Sequence, residues 1–162
     1  MDSKTPVETS IIPKRILVPV DGSRNAARAA RVAIEYAKKF EAELIVLHVI
    51  PIPAHTLAEV EGGIGRLESS EVKEHFSSAR QKAKTFVDEV VKSAETEGVK
   101  ATGLILDYAY SVVETILDQA TNNNVDLIVI GTRGLTGFKK LLIGSISSGI
   151  VSRARCQVLI VR

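Results

Sequence analysis

Five short apolar runs, separated by stretches of helical periodicity, constrain this chain more than any other feature. The runs cover 15–20, 43–50, 102–107, 125–130 and 157–161. Most are near-continuous in Val, Ile and Leu rather than alternating, as in strands buried on both faces. Between them, 25–40 sets Ala26, Ala30, Ala33, Ala37 and Phe40 on one small-residue helix face. A longer stripe runs from Val72 through Phe76, Ala79, Ala83, Phe86 and Val90 to Ala94, after a capping Ser69 or Ser70 and before Gly98. The segments 111–122 and 145–154 repeat the helical pattern through Val112, Val113, Ile116, Leu117 and Ala120, and through Ile146, Ile150 and Val151. Strands that alternate with helices need crossover connections. The expected fold is therefore α/β, a single-domain, open, five-stranded parallel sheet with helices on both faces.

Chain breakers set the remaining boundaries. Pro19 must lie near the end of the first strand, Pro51 and Pro53 halt the second, and Asn122-Asn123-Asn124 ends the third helix. Residues 1–13 read as a flexible tail, and 51–70, with Gly62, Gly63 and Gly65, as a long loop or partly ordered lid. A chain of 162 residues needs no second domain. The net charge of +2, from 21 basic and 19 acidic residues, disfavours nucleic-acid and membrane partners. Cys156 is the only cysteine, which excludes an intrachain disulfide and fits a reducing, cytoplasmic setting. No signal-peptide core and no run near the roughly 18 apolar residues of a membrane span occur, so a soluble chain is expected.

In open parallel sheets ligands bind beyond the carboxyl ends of the strands, where strand order reverses. Asp21, Val49 and Gly131 fall at such ends. Gly131-Thr132-Arg133-Gly134 follows the fourth strand, and Gly144-Ser145 opens the fourth helix. Glycine permits a sharp turn, and a helix start presents free N–H groups with about half a positive charge, so this layout suits a phosphate. Ser145, Ser147 and Ser148 add hydroxyls. Neither the Gly-x4-Gly-Lys-Ser/Thr loop nor the Gly-x-Gly-x-x-Gly fingerprint occurs. Arg133, Lys139 and Lys140 either neutralise phosphate or are solvated surface. His48 reads as a hydrogen-bonded core histidine, His55 and His75 are isolated, and no histidine pair points to a metal.

Three pieces in order, Ile16-Leu17-Val18-Pro19-Val20-Asp21-Gly22-Ser23, Leu47-His48-Val49-Ile50 and Gly131-x2-Gly134-x9-Gly144-Ser145, resemble the universal stress protein family, specifically its ATP-binding members, over residues 14 to 162. The resemblance implies a Rossmann-like, adenine nucleotide alpha hydrolase-like sheet with strand order 3-2-1-4-5. It implies that Asp21 accepts hydrogen bonds from ribose hydroxyls, with Pro19, Val20 and Ser23 beside it, and that Val49 reads the adenine edge through its main chain. Phosphates would be held by Gly131, Arg133, Gly134, Gly144, Ser145, Ile146 and Ser147. Read without the resemblance, Asp21 is a turn or capping aspartate and Val49 the last core residue of its strand. Where many members carry Gly-x-Pro after the third strand, this chain has Tyr110-Ser111-Val112, which places a tyrosine near the pocket.

The implied cofactor is ATP, with magnesium held by phosphates and water rather than by protein side chains. The implied function is a nucleotide-dependent stress-response switch with no catalytic residue and at most slow ATP hydrolysis. The alternative is a dimeric interaction module whose nucleotide is structural or absent, which leaves room for a protein partner. A phosphoryl or adenylyl transferase would need a substrate pocket that the sequence does not reveal. The last strand, 157–161, leaves an open sheet edge, and both that edge and the resemblance point to a homodimer through it, with Cys156 nearby. Gly131→Val or Gly144→Val is expected to abolish nucleotide binding while the fold persists.

Overall fold

Two helices of this chain begin where a serine side chain supplies a missing hydrogen bond. The computed structural model describes residues 12–53, 56, 70–132 and 143–162. Strands β1 (Arg15–Pro19), β2 (Glu43–Pro51), β3 (Ala101–Ala109), β4 (Leu127–Gly131) and β5 (Gln157–Val161) alternate with helices α1 (Arg24–Phe40), α2 (Ser70–Thr96), α3 (Val112–Asn122) and α4 (Ser145–Arg153). Ser23 caps α1 by accepting from Ala26 N–H at 3.1 Å, and Ser111 caps α3 by accepting from Glu114 N–H at 3.3 Å. After α3, Asn124 takes a left-handed φ of 49° and Val125 N–H returns to Ala120 O, so the asparagine run breaks the helix as expected. The expected tail and the 51–70 loop fall largely outside the described residues, at 1–11, 54–55 and 57–69.

The strands form one parallel sheet in the order β3-β2-β1-β4-β5. Its two faces follow from the alternation of side chains along each strand. Ile16, Val18, Leu44, Val46, Leu127 and Val129 face one way, where they meet the alanines of α1 (Ala26, Ala29, Ala30, Ala33 and Ala37) and Val87 and Ala94 of α2. Leu17, Ile45, Leu47, Ile128 and Ile130 face the other way, against Ile116 and Ala120 of α3 and Ile150 of α4. Five alanines on the buried face of α1, with Ile34 beside them, let the helix approach the sheet closely. A third cluster, Ile50, Ile52 and Phe76, secures the start of α2 over the end of β2.

Two strands depart from their sequence reading by two residues at one end. β3 runs to Ala109 rather than Asp107, because a bulge opposite Val49 and Pro51 lets pairing resume at Pro51 and Ala109. Tyr108 occupies that bulge at a left-handed φ of 57°, and its ring stacks on Phe76 at 3.9 Å between centroids. β4 starts at Leu127 rather than Val125, because Val125 N–H is drawn back to α3 and Asp126 serves another purpose. Asp126 Oδ2 accepts from the N–H groups of Lys14 and Arg15 at 2.8 and 2.9 Å, while Asp126 N–H donates to Arg15 O at 2.9 Å. Its own carbonyl accepts from Gln157 N–H at 3.1 Å, so one residue ties the amino ends of β1, β4 and β5.

Charge-assisted hydrogen bonds of this kind contribute roughly 1.5–3 kcal/mol. Asp126→Ala should therefore lower the unfolding free energy by about 2 kcal/mol at pH 7, measured by urea denaturation, with the far-ultraviolet dichroism unchanged in the absence of urea.

Candidate functional site

Because β2 and β3 extend to one side of β1 while β4 and β5 lie on the other, strand order reverses between β1 and β4. The carboxyl ends of β1, β2 and β4 meet there. Pro19 is the last paired residue of β1, opposite Leu47. The next residue, Val20, is held on both sides of its main chain: its N–H donates to Leu47 O at 2.8 Å and its carbonyl accepts from His48 Nδ1 at 2.7 Å. Gly22 then turns at φ +79°, with the Phe86 ring so near that a Cβ there would lie 3.2 Å from it. Glycine is required twice over, by backbone conformation and by space.

This turn places half-buried Asp21 at the rim of the sheet. Its Oδ1 accepts from Ser23 N–H at 2.9 Å, an aspartate turn, and the Ser23 hydroxyl is engaged as the cap of α1. The amino end of α1 is thus closed by its own loop. The amino end of α4 is built differently. Its N-cap is Gly144, which makes no side-chain capping bond, and Gly144 N–H donates to Thr132 O at 2.6 Å. The N–H groups of Ser145, Ile146 and Ser147 occupy the first turn, where a helix supplies no acceptor of its own. Ser147 is 4% exposed, and its hydroxyl donates to Gly131 O at 2.7 Å, which fastens α4 to the end of β4. The Ser147 hydroxyl proton is thus engaged, which leaves the main-chain N–H as the donor that this residue can offer a ligand.

Gly131 needs its missing side chain for packing. An added Cβ would lie 2.9 Å from the Asn25 carbonyl oxygen, so the first turn of α1 rests directly on the end of β4. The expectation that Gly131→Val removes a ligand and spares the fold needs correction, because the obstructed neighbour is backbone. Val49 is buried near the end of β2, beside the bulge of β3. Arg133 and Gly134, with Lys139 and Lys140, lie outside the described residues. Tyr110 is 72% exposed beyond β3. His48 is hydrogen-bonded as expected, but periodicity did not reveal that its partner is the Val20 carbonyl. Among the described residues no cluster of three or more His, Cys, Asp or Glu side chains is placed to hold a metal.

A cavity of about 490 Å³ opens between α3 and α4, lined by Leu117, Asn124, Val125, Arg153 and Cys156 among others. It lies at the amino ends of β4 and β5, opposite the convergence just described, and the two helices present their carboxyl ends to it. Burial pushes the Cys156 thiol up from its ordinary value, with the Asp126 carboxylate adding to the effect. A helix carboxyl end disfavours phosphate, although Arg153 and Arg155 also line this cavity.

A model of the family described as "Universal stress protein family" matches residues 13–162. A universal stress protein of Methanocaldococcus jannaschii is 34% identical over 149 residues, spanning 92% of this chain and 82% of that protein. Among solved structures, the universal stress protein UspA from Lactobacillus plantarum superposes with a TM-score of 0.78 at 26% identity, covering 92% of this chain and 97% of that one. A universal stress protein from Archaeoglobus fulgidus, solved in complex with dAMP, superposes with a TM-score of 0.66 at 24% identity over 94% of this chain and 100% of that one, a likeness of fold.

The Asn25 contact makes Gly131 the position to test. Gly131→Ala should lower stability by roughly 1–3 kcal/mol, the usual range for overpacking, read as a lower calorimetric Tm in the absence of any ligand.

Proposed function

The chain belongs to the universal stress protein family, and on that premise we propose that it binds an adenine nucleotide, ATP in the first place, and works as a nucleotide-dependent switch with at most slow hydrolysis. The observation that carries this reading is the convergence, at the reversal of strand order, of the Asp21 carboxylate, the end of β2 at Val49 and the uncapped amino end of α4. These three supply what the parts of a nucleotide require: an anionic acceptor for ribose hydroxyls, a main-chain edge for a base, and oriented N–H groups with a positive dipole for phosphate. The Archaeoglobus fulgidus protein of the same fold was solved with dAMP, which supports an adenine mononucleotide as a ligand this fold can accept.

Side chains at the convergence hold backbone rather than stand ready for proton transfer: Ser23 caps α1, Ser147 bonds Gly131, and His48 bonds Val20. Such a site favours binding over turnover. Magnesium would arrive with the phosphates, keeping most of its ligands from phosphate and water. Homodimerisation through β5 forms part of the proposal. Val158, Leu159, Ile160 and Val161 are half-buried on this edge strand, and an unpaired strand edge is a template for a second chain.

Calorimetric titration tests the reading. ATP should bind the purified protein, and Asp21→Asn should weaken binding about tenfold, the loss of one charged hydrogen bond. Asparagine keeps an oxygen for Ser23 N–H, so the turn should persist. A wild-type protein that takes up neither ATP, ADP nor AMP at concentrations on the order of 1 mM would end the proposal.

A further inference from the structure

Alternate residues of β2 direct their main-chain groups to opposite neighbours. Glu43 N–H donates to Lys14 O and Leu47 O accepts from Val20 N–H, so odd-numbered residues address β1. Leu44 N–H donates to Lys100 O and Ile52 N–H to Ala109 O, so even-numbered residues address β3. A parallel ladder continued by one step would carry Val49 N–H to Val20 O. That bond is not made. The Val20 carbonyl accepts from His48 Nδ1 at 2.7 Å, and among the described residues Val49 N–H reaches no acceptor on the β1 side.

A carbonyl can only accept, so Nδ1 carries the proton. The imidazole cannot swing away easily, because the Phe86 ring meets it edge-on at 4.9 Å and an 81° interplanar angle, and Phe86 is itself pressed against Gly22. Neighbouring residues of a strand point to opposite faces. His48 therefore reaches β1 from the α2 face, while the Val49 side chain is buried in the cluster with α3 and α4.

We propose that His48 is a positioning residue: by taking the Val20 carbonyl with its side chain, it ends the β1–β2 ladder one bond early and keeps the Val49 main chain available to a base. The inference rests on the adenine-nucleotide reading and deepens it. N–H and C=O of one residue in a parallel strand point to the same side, so Val49 presents a donor beside an acceptor. Adenine offers a complement, an acceptor at N1 beside the donating exocyclic amine; guanine carries the same two functions in the reverse order, a donor at N1 beside the O6 acceptor. His48 thus acts on base binding through Val49 without touching the base.

The test compares the wild-type protein with His48→Phe, which keeps the aromatic contact and loses the donor, and with His48→Asn, whose amide nitrogen stands in the place of Nδ1. In the ligand-free wild-type protein, amide exchange at Val49 should be at least about tenfold faster than at Leu47, whose N–H lies within the ladder. In His48→Phe the ladder should close and Val49 protection rise about tenfold. ATP affinity should fall about tenfold with tripolyphosphate affinity unchanged, and His48→Asn should restore ATP binding to within about threefold. A Val49 amide as protected as Leu47 in the wild-type protein overturns the proposal without any variant. So does a parallel loss of ATP and tripolyphosphate, or a failure of asparagine to rescue. A wild-type chain that binds no adenine nucleotide, yet whose Val49 exchange responds to His48→Phe, overturns the functional reading alone and supports the backbone device.

Discussion

β1 is paired along both edges and buried on both faces, and the other elements take their positions from it. Ile16, Leu17 and Val18 are fully buried, with Ile16 and Val18 under α1 and α2 and Leu17 under α3 and α4. A strand so enclosed can satisfy its main chain only through neighbouring strands. It does so against β2 along its whole length and against β4 at Ile16 and Leu17. Where β1 runs out of strand partners, side chains take over: Asp126 receives the N–H groups at its beginning, and His48 donates to the carbonyl just past its end. The candidate site lies where the second of these substitutions occurs. Its geometry is a by-product of ending a buried strand without leaving a buried carbonyl unpaired.

The architecture was largely legible in the sequence. Near-continuous apolar runs report burial on both faces, and burial on both faces with intervening helices leaves little besides a parallel sheet. Strand order came with the family resemblance rather than from periodicity. The boundaries that were misplaced share one cause. At Asp107–Ala109 and at Val125–Asp126, the deciding factor is where a main-chain N–H finds its acceptor. Hydropathy does not report that choice. Tyr108 at positive φ had no local signal either, since glycine or asparagine would be the usual residue there; the stacking of its ring on Phe76 accompanies the strained conformation.

The candidate site was legible as a set of positions and illegible as a set of bonds. Asp21, Val49, Gly131 and Gly144 fall where the strand ends and helix start converge. What each residue does locally differs from the roles that residue type alone invites. Ser23 and Ser147 have hydroxyls suited to phosphate, yet one caps a helix and the other bonds a carbonyl. Gly131 resembles a phosphate-loop glycine, and its lack of a side chain is already required by Asn25. The Ser147–Gly131 and Gly131–Asn25 contacts join residues distant in sequence.

Lys14 and Asp126 stand 112 positions apart when they bond. The unit of β1, α1 and β2 closes over a far shorter stretch, and loop-closure entropy grows with the length enclosed. A chain clipped before β4 lacks Asp126, the Gly131 end of the cleft and the helix start behind it. Asp21 and Val49 then lack the strand end and helix start that lie opposite them. The seam between β1 and β4 ties assembly of the cleft to completion of the chain, so a ligand held across it would be retained by finished molecules rather than by folded segments.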